Sequence, residues 1–483
     1  METVETLKLV INGALVNSFD HFIIRNPATG KAIAHAPQVT RSQIDFAVHC
    51  AVNALPGWAS CDDKNGIFMK AAHAIEQQKD ALANLLTAEQ GKPLCDAMDE
   101  INAAISCFKN AAELRVTEKI ISETSDHTVK IRHLPIGVVG AILPWNYPLF
   151  LCADKIARAT AFGNCIVVKP SPHTPATSLR LGSILCDIFP PGVVNVVSGT
   201  DSSISENPGS WLVRNPSVAK ICFVGSTATG KNILHGSVDD MKRTSLEMGG
   251  NDAAIVLEDA DVAETVDGVL NAALCNNGQI CVAIKRVYVA RSIFDDFVIT
   301  LVEAAKAKSR QVGNGVDPGV TLGPVNNRQQ WGKLQLFLED AIKNGGTVLC
   351  GGGPPSHLEQ SDGDLFLAPT VVVGMDEKCL LVQDEQFGPI IPVIPYDMVE
   401  EAVFKANDSI YGLGASVWGS DVNQANQVAS KLRAGMVWVK EHGSSLGKAP
   451  CGGFRQSGLG REGDWGDADL SSFTETQVIK LAK

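Results

Sequence analysis

Cys281 and Glu247 are residue types that can together carry covalent chemistry on a carbonyl. Cys281 lies in Asn276-Asn277-Gly278-Gln279-Ile280-Cys281-Val282, and Glu247 lies 34 positions earlier in Leu246-Glu247-Met248-Gly249-Gly250-Asn251. A thiolate adds to an electrophilic carbon, and a carboxylate from a separate segment can activate the water that later frees the acyl group. A glutamate on a Gly-flanked turn can do this without staying bonded to the thiol. Asn146, in Pro144-Trp145-Asn146-Tyr147-Pro148, can donate its amide to the oxyanion formed on addition, together with the Cys281 backbone N–H. Gly225-Ser226-Thr227-Ala228-Thr229-Gly230 reads as a strand-to-helix turn of small residues. Such a turn lets a pyrophosphate approach a helix N-terminus, where unpaired N–H groups and the dipole favour an anion. A nucleophile, a base, an oxyanion donor and a dinucleotide turn point to redox chemistry on a carbonyl. Each has a plainer reading. Cys281 is one of 13 cysteines, Glu247 could be an ion-paired carboxylate, Asn146 could cap the helix near Pro148, and Gly-x4-Gly is often only a turn.

These residues need elements to hold them. Short apolar runs at 138–143, 165–168, 193–197 and 221–224 are each followed by Gly, Pro or Ser and a helical stretch. Parallel strands covered on both faces look like this. A second αβ series starts at 253–257 and runs through 287–289 to 437–439. Upstream, 42–55, 72–86 and 96–114 carry apolar residues at helical spacing. Residues 128–134 and 471–480 alternate as strands, and 351–364 read as a surface loop.

Composition narrows the class. At 483 residues, two or more packed units are expected, and 45% hydrophobic with 19% charged content suits a globular enzyme. A net charge of −12 argues against nucleic acid or an anionic membrane as partner. The cysteines are odd in number and irregular in spacing, with no CxxC pair and no zinc-ligand spacing, so neither a disulfide framework nor a metal is expected. Residues 1–20 carry Glu2, Glu5 and Asp20 without a long apolar run, and no run reaches membrane-spanning length. A cytoplasmic location is the expectation.

Further blocks appear at Val168-Lys169-Pro170-Ser171, Phe223-Val224-Gly225-Ser226-Thr227, Glu385-Gln386-Phe387-Gly388-Pro389 and Gly452-Gly453-Phe454-Arg455-Gln456-Ser457-Gly458. With the segments around Asn146, Glu247 and Cys281, they run in one order from about residue 20 to the C-terminus. In this the chain resembles the aldehyde dehydrogenase superfamily, NAD(P)-dependent enzymes that oxidise aldehydes to acids. The resemblance implies an α/β fold. Residues 1–114 and 136–247 would form a Rossmann-type dinucleotide-binding domain, and 248–448 an α/β catalytic domain. Residues 115–135 and 449–483 would supply an oligomerisation arm and C-terminal strand. Pairing such an arm with a neighbour's sheet removes an open strand edge, so a homodimer or homotetramer is expected.

The resemblance also implies roles. Cys281 adds to the aldehyde, a hydride passes to NAD or NADP, and Glu247 assists hydrolysis of the thioester. Lys169 would bond the adenosine ribose, Trp145 would pack by the phosphates with Gly225, Ser226 and Gly230, and Glu385 and Phe387 would hold the nicotinamide ribose and ring. Tyr147, Phe150, Leu151 and Cys275 would line the substrate tunnel. Glu247 argues against a coenzyme A-acylating relative, which needs no base for hydrolysis. Retention of nucleophile, base and oxyanion donor argues against a non-catalytic protein of the same fold.

Departures from the family pattern bear on specificity. Pro172 stands where NAD-preferring relatives often carry Glu, so NAD with NADP tolerated is the expectation, and a protonated His173 could favour a 2′-phosphate. Asp154 stands where many relatives place Trp in the tunnel. It either selects a cationic aldehyde or pairs with Arg158 one turn along a helix. Cys451 replaces a usual Phe and Lys440 a usual Asn, and Lys440 would instead attract a carboxylate-bearing aldehyde.

Overall fold

The computed structural model describes residues 4–200, 206–358 and 365–483. Of the expected surface loop, residues 351–358 form neither strand nor helix, and 359–364 lie outside the described residues. Two large sheets organise the α/β chain. The first runs in the order Gly458–Leu459, Arg243–Glu247, Val218–Val224, Val138–Ile142, Cys165–Lys169, Val194–Val196, Leu9–Ile11, Ala14–Val16. The five strands from Arg243–Glu247 to Val194–Val196 are parallel. From Val138–Ile142 the chain steps outward to one side, then returns to the other side at Val218–Val224. Strand order therefore reverses between these two strands, and a ligand crevice opens beyond their carboxyl ends. The blocks after those strands, at Trp145 and at Gly225, land at this crevice.

The second sheet runs Thr347–Cys350, Thr370–Val373, Ile390–Tyr396, Ile284–Ala290, Asp252–Val256, Gly414–Trp418, Met436–Val439. All but the first of these are parallel. Successive side chains alternate between two cores: Ala253, Ile255 and Tyr288 enter one, Ala254, Val256 and Val287 the other. Both faces are covered, which is why these strands read as unbroken apolar runs. The core around the first sheet takes buried residues from Leu7 to Met248, joined by Phe473. Met248 to Asn251 thus crosses from one sheet to the other, with Glu247 ending a strand on one side and Asp252 opening a strand on the other.

Two expected elements differ. The helix expected over 72–86 is two helices, Lys64–Gln77 and Lys79–Gln90, broken at Gln78. The break turns Ile75 and Leu82 into the same core. The final strand begins at Thr474 because Asp467–Phe473 is helical. Phe473 is buried there, stacked on Phe162 at 6.0 Å. Strands Lys119–Glu123, His127–Pro135 and Thr474–Ala482 make a separate antiparallel sheet that exposes Ile120, Ile121, Val478 and Leu481. Among the described residues no helix is long and apolar enough to cross a membrane.

Candidate active site

A cavity of about 1070 Å³ lies at the crevice and reaches the second sheet. Cys281, Glu247, Asn146, Trp145, Lys169, Gly225, Ser226, Glu385 and Phe387 all line it, as do Tyr147, Phe150, Leu151 and Cys275.

The segment before Cys281 is held in a costly conformation. Helix Val262–Leu274 ends in a turn where Asn276 (φ 49°), Asn277 (φ 56°) and Gly278 (φ 74°) are all left-handed. Non-Gly residues in this region cost on the order of 1 kcal/mol or more each, and persist only where neighbours impose them. Here the amides do so. Asn277 Nδ2 donates to Gly323 O at 2.8 Å, and Asn276 Nδ2 to Asn146 O at 3.2 Å. A Cβ at Gly278 would collide with the Gly388 carbonyl. Gln279, 1% exposed, donates to Asn276 O at 3.0 Å and Pro324 O at 3.2 Å and accepts from Asn326 N at 2.9 Å. Lys285 Nζ donates to Gly278 O at 2.6 Å. The Asn-Asn-Gly-Gln run is scaffolding for Cys281. Sequence reasoning used Gln279 as a family letter and missed this role.

Asn146 is buried and its Nδ2 donates to Gln279 O at 3.1 Å. The capping alternative fails, because helix Pro148–Ala161 starts from Tyr147 with no side-chain cap. Glu100 supplies the cap instead, accepting from Leu149 N at 2.9 Å and Phe150 N at 3.0 Å. Lys92 pairs with Glu100 at 2.5 Å and sits 3.6 Å from the Tyr147 ring centroid.

On the dinucleotide side, Ser226 caps helix Thr227–Ser237 by accepting from Thr229 N at 3.3 Å. Gly230 is set back from the cavity wall. It lies inside that helix, its N–H bonded to Ser226 O. A Cβ there would strike the Met248 sulfur, so its smallness serves helix-to-strand packing. Trp145 packs edge-on to Phe387 at 5.3 Å. Phe387 has φ 51°, held by Gln330 Nε2 donating to Gln386 O at 2.8 Å and Phe387 O at 3.1 Å. Glu385 accepts from Gly250 N at 3.0 Å.

Burial sets the electrostatics. It pushes Glu247 up to about 7, opposed by Lys155 and reinforced by Glu462. It pushes Glu385 up to about 7, opposed by Lys285. Burial, with Glu385, Glu247 and Asp252 adding to it, pushes the Cys281 thiol up to about 12. The thiol is therefore protonated near neutral pH until something removes the proton or adds positive charge.

Asp154 departs from the tunnel reading and follows the other, the pair with Arg158. It is absent from the cavity wall and 5% exposed, bonded to Arg158 at 2.7 Å and Lys155 at 3.2 Å. The helical pair wins over the tunnel reading because the side chain points into a buried charge network. Arg158 also pairs with Asp469, and Lys155 with Glu462 at 2.8 Å. Burial works against the Glu462 carboxylate, yet Lys155 and Lys220 hold it well below the usual range. This network, close enough to bias Glu247, was missed in the sequence, since Lys155 and Glu462 are 307 residues apart. Asp154→Ala should lower stability by about 1–3 kcal/mol by taking one of two carboxylate partners from each of Arg158 and Lys155, and should leave the ranking of amino-bearing and carboxylate-bearing aldehydes unchanged. Thermal denaturation and a substrate panel check both halves. Lys440 and Cys451 are likewise absent from the cavity wall, although Gly443 of the same loop lines it.

Known proteins match almost end to end. The aldehyde dehydrogenase family model matches residues 16–479. The chain is 34% identical over 484 residues to a mitochondrial aldehyde dehydrogenase of Leishmania tarentolae, covering 98% of this chain and 95% of that one. The NAD+ complex of an aldehyde dehydrogenase from Bacillus cereus shares the fold at a TM-score of 0.93 and 34% identity, over 99% of this chain and 97% of that one. An E. coli NADP dependent enzyme does so at 0.93 and 32%, over 99% and 98%. A match this long, in sequence and in fold alike, means that the chain belongs to the aldehyde dehydrogenase family.

Proposed function

We propose that Cys281, Glu247 and Asn146 perform the family's reaction in this chain, the NAD(P)+-dependent oxidation of an aldehyde to its carboxylic acid. The observation that carries this is their convergence on one cavity, at the switch point of a parallel sheet. The Cys281 thiol loses its proton to solvent and the sulfur bonds to the aldehyde carbon, while the Asn146 amide and the Cys281 N–H hold the carbonyl oxygen as the C=O electron pair moves onto it. NAD(P)+, when bound, supplies the acceptor for the hydride that leaves this carbon. The carbonyl re-forms as a thioester on Cys281. Glu247 takes a proton from water, the water oxygen bonds to the thioester carbon, and the acid leaves as the sulfur is released.

The crevice suits the dinucleotide. Gly225, Ser226 and Thr229 bring the N-terminus of Thr227–Ser237 to the cavity wall, and Lys169 and Trp145 stand beside it. Lys169, Ser171, Pro172 and His173 line the same wall without a carboxylate among them, so nothing there repels a 2′-phosphate. NAD with NADP tolerated is the reading we keep. The Bacillus cereus relative holds NAD+, and the E. coli relative is named for NADP.

The proposed division assigns 1–114 and 136–247 to dinucleotide binding, 248–448 to catalysis, and 115–135 with 449–483 to an oligomerisation arm. The exposed apolar residues of the arm sheet support a homodimer or homotetramer. All 13 cysteines are free, which supports a reducing compartment, and we place the protein in the cytoplasm.

Absorbance at 340 nm tests the function with aliphatic, aromatic, amino-bearing and carboxylate-bearing aldehydes, each with NAD+ and NADP+. Turnover in any row supports it. Turnover only after coenzyme A is added would mean the acylating alternative, and cofactor binding without turnover in any well would favour a non-catalytic chain. Asn146→Ala should lower kcat by about 10²–10³-fold with little change in cofactor affinity, and a drop below about threefold would remove Asn146 from the oxyanion role.

A further inference from the structure

The loop at 440–447, after the last strand of the second sheet, carries an imidazole that reaches the nucleophile segment. None of the His442 side chain is exposed. Its Nε2 lies 2.8 Å from the main-chain O of Val282, the residue next to Cys281, and 3.5 Å from Asp252 Oδ2. The ring packs on Trp438 at 4.9 Å, and Trp438 Nε1 donates to Ser444 O at 3.3 Å, which folds the loop back on itself. Asp252 is held from its other side by Gly414 N at 3.0 Å. A Cβ at Gly250 would sit 2.6 Å from Cys281 O and 2.6 Å from Asp252 Oδ1. Two successive carbonyls after the nucleophile are thus held: that of Cys281 packs close to Gly250, and that of Val282 meets the imidazole.

We propose that His442 is a positioning residue for Cys281, holding the Val282 carbonyl through Nε2–H and tying the cavity-wall loop to the nucleophile. The inference rests on Cys281 being the nucleophile. The reason is geometric. The Cys281 N–H and sulfur must both face one carbonyl, so an anchor on the backbone one residue further on, at the Val282 carbonyl, limits how far the Cys281 backbone can turn and carry donor and attacking atom off line. Gly443, next in the loop, has φ 73° and lines the cavity, and a Cβ there would lie 3.7 Å from Val282 O. Packing at the cavity wall and placement of the nucleophile therefore meet at one carbonyl oxygen.

His442→Phe keeps a ring against Trp438 and removes the donor. It should lower kcat by about 10- to 100-fold, leave KM for NAD(P)+ unchanged, and change the rate at which iodoacetamide alkylates Cys281 in the cofactor-free enzyme. His442→Gln, whose Nε2 can donate to the same carbonyl, should recover most of the lost kcat. The alkylation rate, read by mass spectrometry at Cys281, does not depend on turnover, so failure of this inference is separable from failure of the proposed reaction. Wild-type kcat and alkylation in His442→Phe would overturn it. So would equal losses in the Phe and Gln variants, which would leave His442 a packing residue. If His442→Phe does not fold, Asp252→Asn keeps the Gly414 acceptor and removes the charge beside the ring. A smaller loss of kcat and a shifted alkylation rate in that variant support the inference, and wild-type values for both overturn it.

Discussion

Cys281→Ala should abolish aldehyde oxidation, by roughly 10⁴-fold or more, while NAD(P)+ binding measured by fluorescence quenching stays at its wild-type value. In the proposed mechanism the Cys281 sulfur is the atom to which the substrate carbon bonds, so no hydride leaves without it. Its segment is built to present it: three left-handed residues, each held by a neighbour, precede it, and Gln279 beside it is buried and bonded at both ends. The cavity also contains Cys275, whose sulfur lies 3.5 Å from the Tyr147 hydroxyl. Cys275→Ala is the control and should retain turnover, because Cys275 lacks that scaffold. Robust 340 nm turnover in Cys281→Ala would sink the assignment, and loss only in Cys275→Ala would transfer it.

Glu247→Gln should separate the two halves of the reaction. The first turnover should still release one equivalent of reduced cofactor per site, since hydride transfer needs only the thiol and the oxyanion donors. Steady-state turnover should then fall by about 10²–10⁴-fold as the thioester accumulates. Stopped-flow absorbance reads both phases, and mass spectrometry reads the acyl group on Cys281. The pH dependence follows from burial. Glu247 titrates at about 7, so its carboxyl is protonated and unable to accept a proton below that value, and ionised above it. Deacylation should rise between pH 6 and pH 8 and level off near one unit above the midpoint. In the Gln variant that rise should disappear. Cys281, pushed up to about 12, also gains reactivity as pH rises, and that dependence belongs to the burst phase. A steady-state rate in Glu247→Gln that still rises through pH 7 would assign the titration to another group.

The local order of the chain was readable because it follows from local physics. Apolar runs covered on both faces gave the strands at 138–142 and 252–256 to within a residue or so, and the blocks after strands gave Asn146, Gly225 and Lys169 as cavity residues. Two helices replaced one at Gln78 because burial of Ile75 and Leu82 in a common core outweighs continuous periodicity. The packing of Gly230 was not readable, because a glycine needed for phosphate approach and one needed for packing look alike until Met248 is seen against it.

The sequence by itself determined the family, and with it the reaction class, since seven motif blocks stand in one order, and residue type and order survive without coordinates. What only the tertiary structure decided is where each charge points and what it costs. Asp154 faces Arg158 and Lys155 instead of the cavity, Glu247 sits in the field of Lys155 and Glu462, and His442 meets Val282 from 160 residues away. Such facts depend on distance and on exclusion of water, and both come from segments far apart in the chain brought together by two sheets.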